Sequence, residues 1–130
     1  YCQYAYARAS SVINKANDLS INEVKLININ EFKDNISNDE LQIIKLMISY
    51  PYLVYQSALY NEPHRLITYL EAICAMFHSI WNKGKENESL RFIDDKNINQ
   101  TKVKLFWIKC FRNVLKDIFS IIGIDSPEKM

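Results

Sequence analysis

Glycine and proline are scarce, two and three among 130 residues. That is too few for the tight turns of an all-β sandwich or barrel, whereas helices need few of either, so the shortage favours an α fold. No stretch approaches the ~18 uncharged apolar residues of a membrane span. The opening YCQYAYAR has a helical period where a signal peptide would have an apolar run. The three cysteines, Cys2, Cys74 and Cys110, form no CxxC pair and cannot all pair with one another, which points to reduced thiols and a cytoplasmic setting. A glycine-rich phosphate loop, HExxH, GxSxG and any metal-spaced Cys/His cluster are also missing. The net charge of +1 says nothing by itself about a nucleic-acid partner.

What is present fits one globular domain. Hydrophobic residues make up 48% and charged residues 24% of the chain, enough to bury a single sizeable core. The first residue is Tyr rather than Met, which points to a piece of a longer chain, although tag removal would leave the same start. Charge is unevenly placed. Residues 18–40 hold six acids (Asp18, Glu23, Glu31, Asp34, Asp39, Glu40) against Lys25 and Lys33, while 101–116 hold Lys102, Lys104, Lys109, Arg112 and Lys116 with no acid. Such clustering steers a charged partner even when the total cancels.

Periodicity predicts a helix over 1–17 with Cys2, Ala5, Ala9, Val12, Ile13 and Ala16 on one face. Residues 18–36 read as an Asn-rich connection with at most one short turn. Ser37 or Asn38 then caps a helix over 38–49, with Asp39 and Glu40 in its first turn and Leu41, Ile44 and Ile48 buried. Pro51 restarts the chain as a short helix to Leu59. From Pro63 to Lys83 the stripe Leu66, Leu70, Ile73, Phe77, Ile80 is regular, and Gly84 reads as its C-cap. After a polar loop over 85–98, a last helix over 100–122 is expected to bury Val103, Trp107, Cys110, Val114, Ile118 and Ile121, with Gly123 ending it.

Four groups invite a chemical reading. His64 and His78 lie fourteen residues apart on one helix, about 21 Å at ~1.5 Å per residue, so they cannot share a metal and read as partly exposed polar residues. Asp94 and Asp95 form a carboxylate pair with no partner acid, and read as a solvated loop. Tyr1, Tyr4, Arg8 and Ser11 recur at spacings of three and four, in a stripe roughly 120° from the apolar face of the first helix. Tyr and Arg can stack on unpaired bases and hydrogen-bond their edges, but the same stripe can pack against a neighbouring helix. Lys102, Lys109, Arg112 and Lys116 share ~80° of the last helix, either as a solvated face or as a track for phosphates.

The opening Tyr1-Cys2-Gln3-Tyr4-Ala5-Tyr6-Ala7-Arg8 resembles the helix that begins the DALR-type anticodon-binding domain of arginyl-tRNA synthetases, which usually reads Gln-Tyr-Ala-His-Ala-Arg there. The run from Glu62-Pro63-His64-Arg65 to Leu70, the run Phe77-His78-Ser79-Ile80-Trp81-Asn82-Lys83, and the ending Gly123-Ile124-Asp125-Ser126-Pro127-Glu128-Lys129-Met130 match three further hallmarks in order. The resemblance implies an all-α bundle of about five helices filling residues 1–130, which grips the anticodon stem-loop of arginine tRNA. It further implies that this is the C-terminal part of a larger synthetase whose catalytic and N-terminal domains lie elsewhere in cis. Arginine ligation with ATP and Mg²⁺ would belong to that parent, with no catalytic residue, cofactor or metal in the domain itself and no membrane partner. Carried over residue by residue, the tRNA-binding set is Tyr1, Gln3, Tyr4, Arg8, Trp81 and Met130. Tyr6 stands where the family commonly has His, and Trp81 where it has Tyr. A DALR-type domain of another synthetase, such as the cysteinyl or glycyl enzyme, and a helical protein-interaction module are the rival readings. The His64-Arg65 segment and the Met130 ending argue against the first.

Overall fold

The computed structural model describes residues 1–22 and 29–130. Among them are six α-helices and no strand: α1 (Cys2–Asp18), α2 (Ile29–Asp34), α3 (Asn38–Ile48), α4 (Tyr50–Leu59), α5 (His64–Glu86) and α6 (Ile98–Ile122), with one 3₁₀ turn at Glu88–Leu90. The all-α expectation therefore holds. The 18–36 connection contains α2, and its stretch from 23 to 28, with Glu23 and Lys25, lies outside the described residues.

α1, α5 and α6 pack on one another, α3 lies across α5 and α6, and α4 lies along α5. The α5 stripe is as expected: Leu66, Leu70, Ile73, Phe77 and Ile80 are all buried. Phe77 sits at the centre, stacked on Phe111 at 4.5 Å and on Phe92 at 5.5 Å between ring centroids. α1 buries Ala5, Ala9, Val12, Ile13 and Ala16 as read, while Cys2 is only half-buried. Tyr6 is buried too, its ring 5.9 Å from that of Phe119.

Three expectations are corrected. α3 turns Glu40, Ile43 and Met47 inward, whereas Leu41 and Ile44 are half-buried and Ile48 is 73% exposed. Ser37 and Glu40 form a reciprocal capping box, and the Glu40 carboxylate also accepts from Trp107 Nε1 at 3.0 Å. Anchoring Glu40 in the core fixes the rotation of the helix. In α6, Val103, Trp107 and Ile118 are buried, but Cys110 and Ile121 are exposed and Val114 only half-buried. Leu105, Ile108, Phe111, Leu115 and Phe119 complete the buried face, because α6 touches α1 on one side and α3 and α5 on the other. Gly84 does not end its helix, since α5 runs on to Glu86. A methyl group there would stand 3.2 Å from the Leu90 carbonyl oxygen and the Arg91 Cα, so the glycine admits the return of the chain.

That return is fastened by Lys104, which is buried although it belongs to the acid-free basic run 101–116. Its Nζ donates to the carbonyls of Leu90 and Arg91 at 3.1 and 3.0 Å. Burial holds its pKa below the usual lysine value, against the opposing pull of Glu40 and Asp94. At the other end of α6, Gly123 adopts φ 76°, the left-handed conformation that glycine takes without a Cβ penalty. The Ile124 N–H then reaches back to the Phe119 carbonyl at 2.9 Å. This turn sends the last residues back toward α1, where the Asp125 carbonyl accepts from Gln3 Nε2 at 3.1 Å.

Candidate functional site

Two helix faces of matching period meet at the start of α1. Tyr1, Tyr4, Arg8 and Ser11 follow one flank of α1, and His78, Trp81 and Lys85 follow the facing flank of α5 at steps of three and four. The Arg8 guanidinium carbon lies 4.0 Å from the Tyr4 ring centroid and 4.9 Å from that of Trp81, so it is held between two π faces. Its Nη1 is 2.9 Å from His78 Nδ1. Arginine has donors only, so Nδ1 must be the acceptor. His78 therefore carries its proton on Nε2, which faces the Tyr1 carbonyl at 3.4 Å.

The tyrosine rings close over the histidine, Tyr1 at 4.7 Å and Tyr4 at 6.1 Å between centroids. His78 is only 8% exposed, contrary to the partly exposed position read from its place off the apolar stripe. The stripe contains only apolar residues, and a histidine buried by an arginine and two tyrosines leaves no mark on it. Burial pushes its pKa below the ordinary 6.5; the bond to the Tyr1 carbonyl opposes this and the Arg8 charge adds to it. His64, by contrast, is exposed as expected.

A hollow of about 450 Å³ opens beside this cluster, lined by Tyr4, Arg8, Ser11, Trp81 and Lys85 on one side and by Glu128, Lys129 and Met130 on the other. Met130 is 74% exposed and stands at the edge of the opening, where its soft thioether can pack on a ligand. The indole N–H of Trp81 is buried without an acceptor among the described residues, and no carboxylate forms an ion pair with Arg8 there. Arg8 thus retains N–H donors beyond the one given to His78. The hollow offers ring faces, fixed donors and, in Glu128, one acceptor carboxylate.

Tyr1, Tyr4, Arg8, Trp81 and Met130 are thereby brought together. Gln3 lies next to them but donates to the Asp125 carbonyl, latching the returning tail. Lys102, Lys109, Arg112 and Lys116 lie on the outer side of α6, partly or fully exposed, and do not line this hollow. The tRNA-binding set expected from the sequence did not include His78, Lys85, Glu128 or Lys129. For His78 and Lys85 the signal was spacing, three before and four after Trp81. Asp94 and Asp95 belong to the turn before α6, where Asp94 caps Lys96 N at 2.9 Å. Among the described residues no group of three His, Cys, Asp or Glu is placed to hold a metal, and no helix is long and apolar enough to cross a membrane.

The model of the DALR anticodon binding domain matches residues 2–130. The chain belongs to that family. Among curated relatives, the arginine–tRNA ligase of Pelagibacter ubique (strain HTCC1062) is 39% identical over 131 residues, covering 100% of this chain and 22% of the relative. Those of Agrobacterium fabrum and Rickettsia canadensis are each 35% identical, again over 100% of this chain and 23% of the relative. This DALR domain thus spans less than a quarter of the length of the arginine–tRNA ligases it resembles.

Proposed function

We propose that this DALR domain binds the anticodon loop of arginine tRNA and that the hollow beside Arg8 receives the central anticodon base. In this reading the domain is the recognition end of a cytoplasmic arginine–tRNA ligase, whose catalytic part, elsewhere in cis, joins arginine to the tRNA with ATP and Mg²⁺. The observation that carries it is Arg8, fixed by His78 between the faces of Tyr4 and Trp81 with N–H donors left over.

Arginine anticodons largely share a central cytosine. Its O2 and N3 accept hydrogen bonds and its exocyclic amine donates them. Arg8 supplies the donors in a rigid fork, Glu128 supplies a carboxylate acceptor for the amine, and the aromatic faces supply stacking of about 1–3 kcal/mol per base. Uracil offers the opposite pattern at two of these three positions, so the same groups disfavour it. Met130 closes the opening.

Binding of the 130-residue chain to arginine tRNA and to the same tRNA with its central base changed tests the proposal. Arg8→Ala, Trp81→Ala and deletion of Met130 each weaken the first by tenfold or more, about 1.4 kcal/mol, and remove most of the preference. Tyr4→Phe is milder than Tyr4→Ala, because stacking survives. Folded variants that keep the wild-type ratio of the two affinities would overturn the assignment.

A further inference from the structure

Trp81 borders a second hollow, of about 430 Å³, opposite the first along α1 and α5. Ser11, Trp81 and Lys85 line both, so the two hollows are neighbours that share the indole. The second has a floor of Val12, Ile80 and Ile93 and a rim carrying Lys15, Lys85 and Arg91, with no acidic residue in its lining. Arg91 pairs with Glu88 at 3.2 Å, but both side chains are exposed, so that pair exchanges readily for another anion.

The wall formed by Leu90 and Arg91 is a fixed structure. Gly84 lets it approach α5, the buried Lys104 holds both of its carbonyls, and the adjoining Phe92 is stacked on Phe77. An apolar floor under a cationic rim matches an amphipathic anion with a flat apolar body. Among such ligands a nucleotide fits best here, because this hollow adjoins one already read as taking a base.

We propose that the second hollow takes a nucleotide adjacent in the strand to the central anticodon nucleotide, with its base on the apolar floor and its phosphate on Lys15, Lys85 and Arg91. Trp81 then stands between two successive bases as a wedge. The proposal rests on the reading of the Arg8 hollow as a base site.

The test uses the whole chain and a synthetic RNA stem-loop carrying an arginine anticodon. One form is intact, one has its central base changed, and two carry a single abasic nucleotide on either side of the central one. Wild type loses about tenfold in affinity for one of the two abasic forms, in line with the worth of a stacked base. The doubly substituted Lys15→Gln, Arg91→Gln chain binds the intact stem-loop about tenfold more weakly. It loses much less than wild type on going to that abasic RNA, because the strand no longer enters the hollow. If wild type discriminates the central base but tolerates both abasic forms, the second hollow is not a nucleotide site, whatever the double substitution does to affinity. Equal abasic losses in wild type and the double variant overturn it as well. Failure of wild type to discriminate the central base would instead strike down the reading of the Arg8 hollow, and this proposal with it.

Discussion

The hydrogen bond from Arg8 to His78 Nδ1 requires an unprotonated acceptor, and that ties the arginine's position to pH. The folded-state pKa of His78 is depressed below 6.5, so above 6.5 the ring is neutral in both folded and unfolded chains and costs nothing. As pH falls below 6.5, the unfolded chain takes up the proton first, and stability declines until pH has passed the folded value. Chemical denaturation at about pH 7.5 and about pH 5.5 is expected to show a larger loss for wild type than for His78→Gln. Equal losses would mean that other groups dominate the acid response. Phe77 is a simpler case. It is fully buried with two stacked ring partners, so Phe77→Ala costs about 3–5 kcal/mol in denaturant titration. A loss below about 1 kcal/mol would contradict its central place in the core. Phe77 was legible in the sequence because it sits on a clean apolar stripe. His78 beside it was not, because nothing local says that a polar ring will meet an arginine seventy residues earlier in the chain.

For whole elements, legibility depended on whether the apolar residues of a helix fall on one stripe or on several. α5 has one regular stripe, and all five of its residues were placed correctly. α6 is apolar on most of its circumference, so periodicity could not choose Phe111 and Leu115 over Cys110 and Ile121. In α3, two interleaved apolar stripes compete. The choice falls to Glu40, an acid whose place in the first turn gives no sign of burial but which the structure holds against Trp107. The polar side of α6 supports a prediction of its own. If Lys102, Lys109, Arg112 and Lys116 contact phosphates, neutralising two of them lowers the slope of log affinity against log salt by about 1.4, at ~0.7 per contact on single strands. The loss would be similar for tRNAs with matched and altered central bases, since phosphates carry no sequence. An unchanged slope in a salt titration returns these residues to an ordinary solvated face.

Across the molecule, the hollow beside Arg8 draws on both ends of the chain as well as on α5: α1 gives Tyr4, Arg8 and Ser11, and the tail after Gly123 gives Glu128, Lys129 and Met130. The tail is not part of the core. None of residues 124–130 is buried, and the tail is turned into place by the left-handed Gly123 and held by the Gln3 amide. Exposed contacts of this kind contribute little to stability, about 0.5–1.5 kcal/mol for a hydrogen bond and less where water competes. Fold and recognition are thus separable. Removing residues 124–130 is expected to leave helix content by far-UV circular dichroism unchanged and to shift the urea midpoint only slightly. Binding to arginine tRNA should fall by at least as much as on deleting Met130 alone, because Glu128 is lost as well. The preference for the central cytosine should fall further, since that carboxylate is the acceptor assigned to its amine. Glu128→Gln in the full-length tail separates the two effects: it keeps the closure by Met130 and weakens only the discrimination between cytosine and uracil. If the truncated chain instead unfolds in far less urea, the tail is structural. If it stays folded and still prefers the central cytosine, the recognising groups lie on α1 and α5 alone.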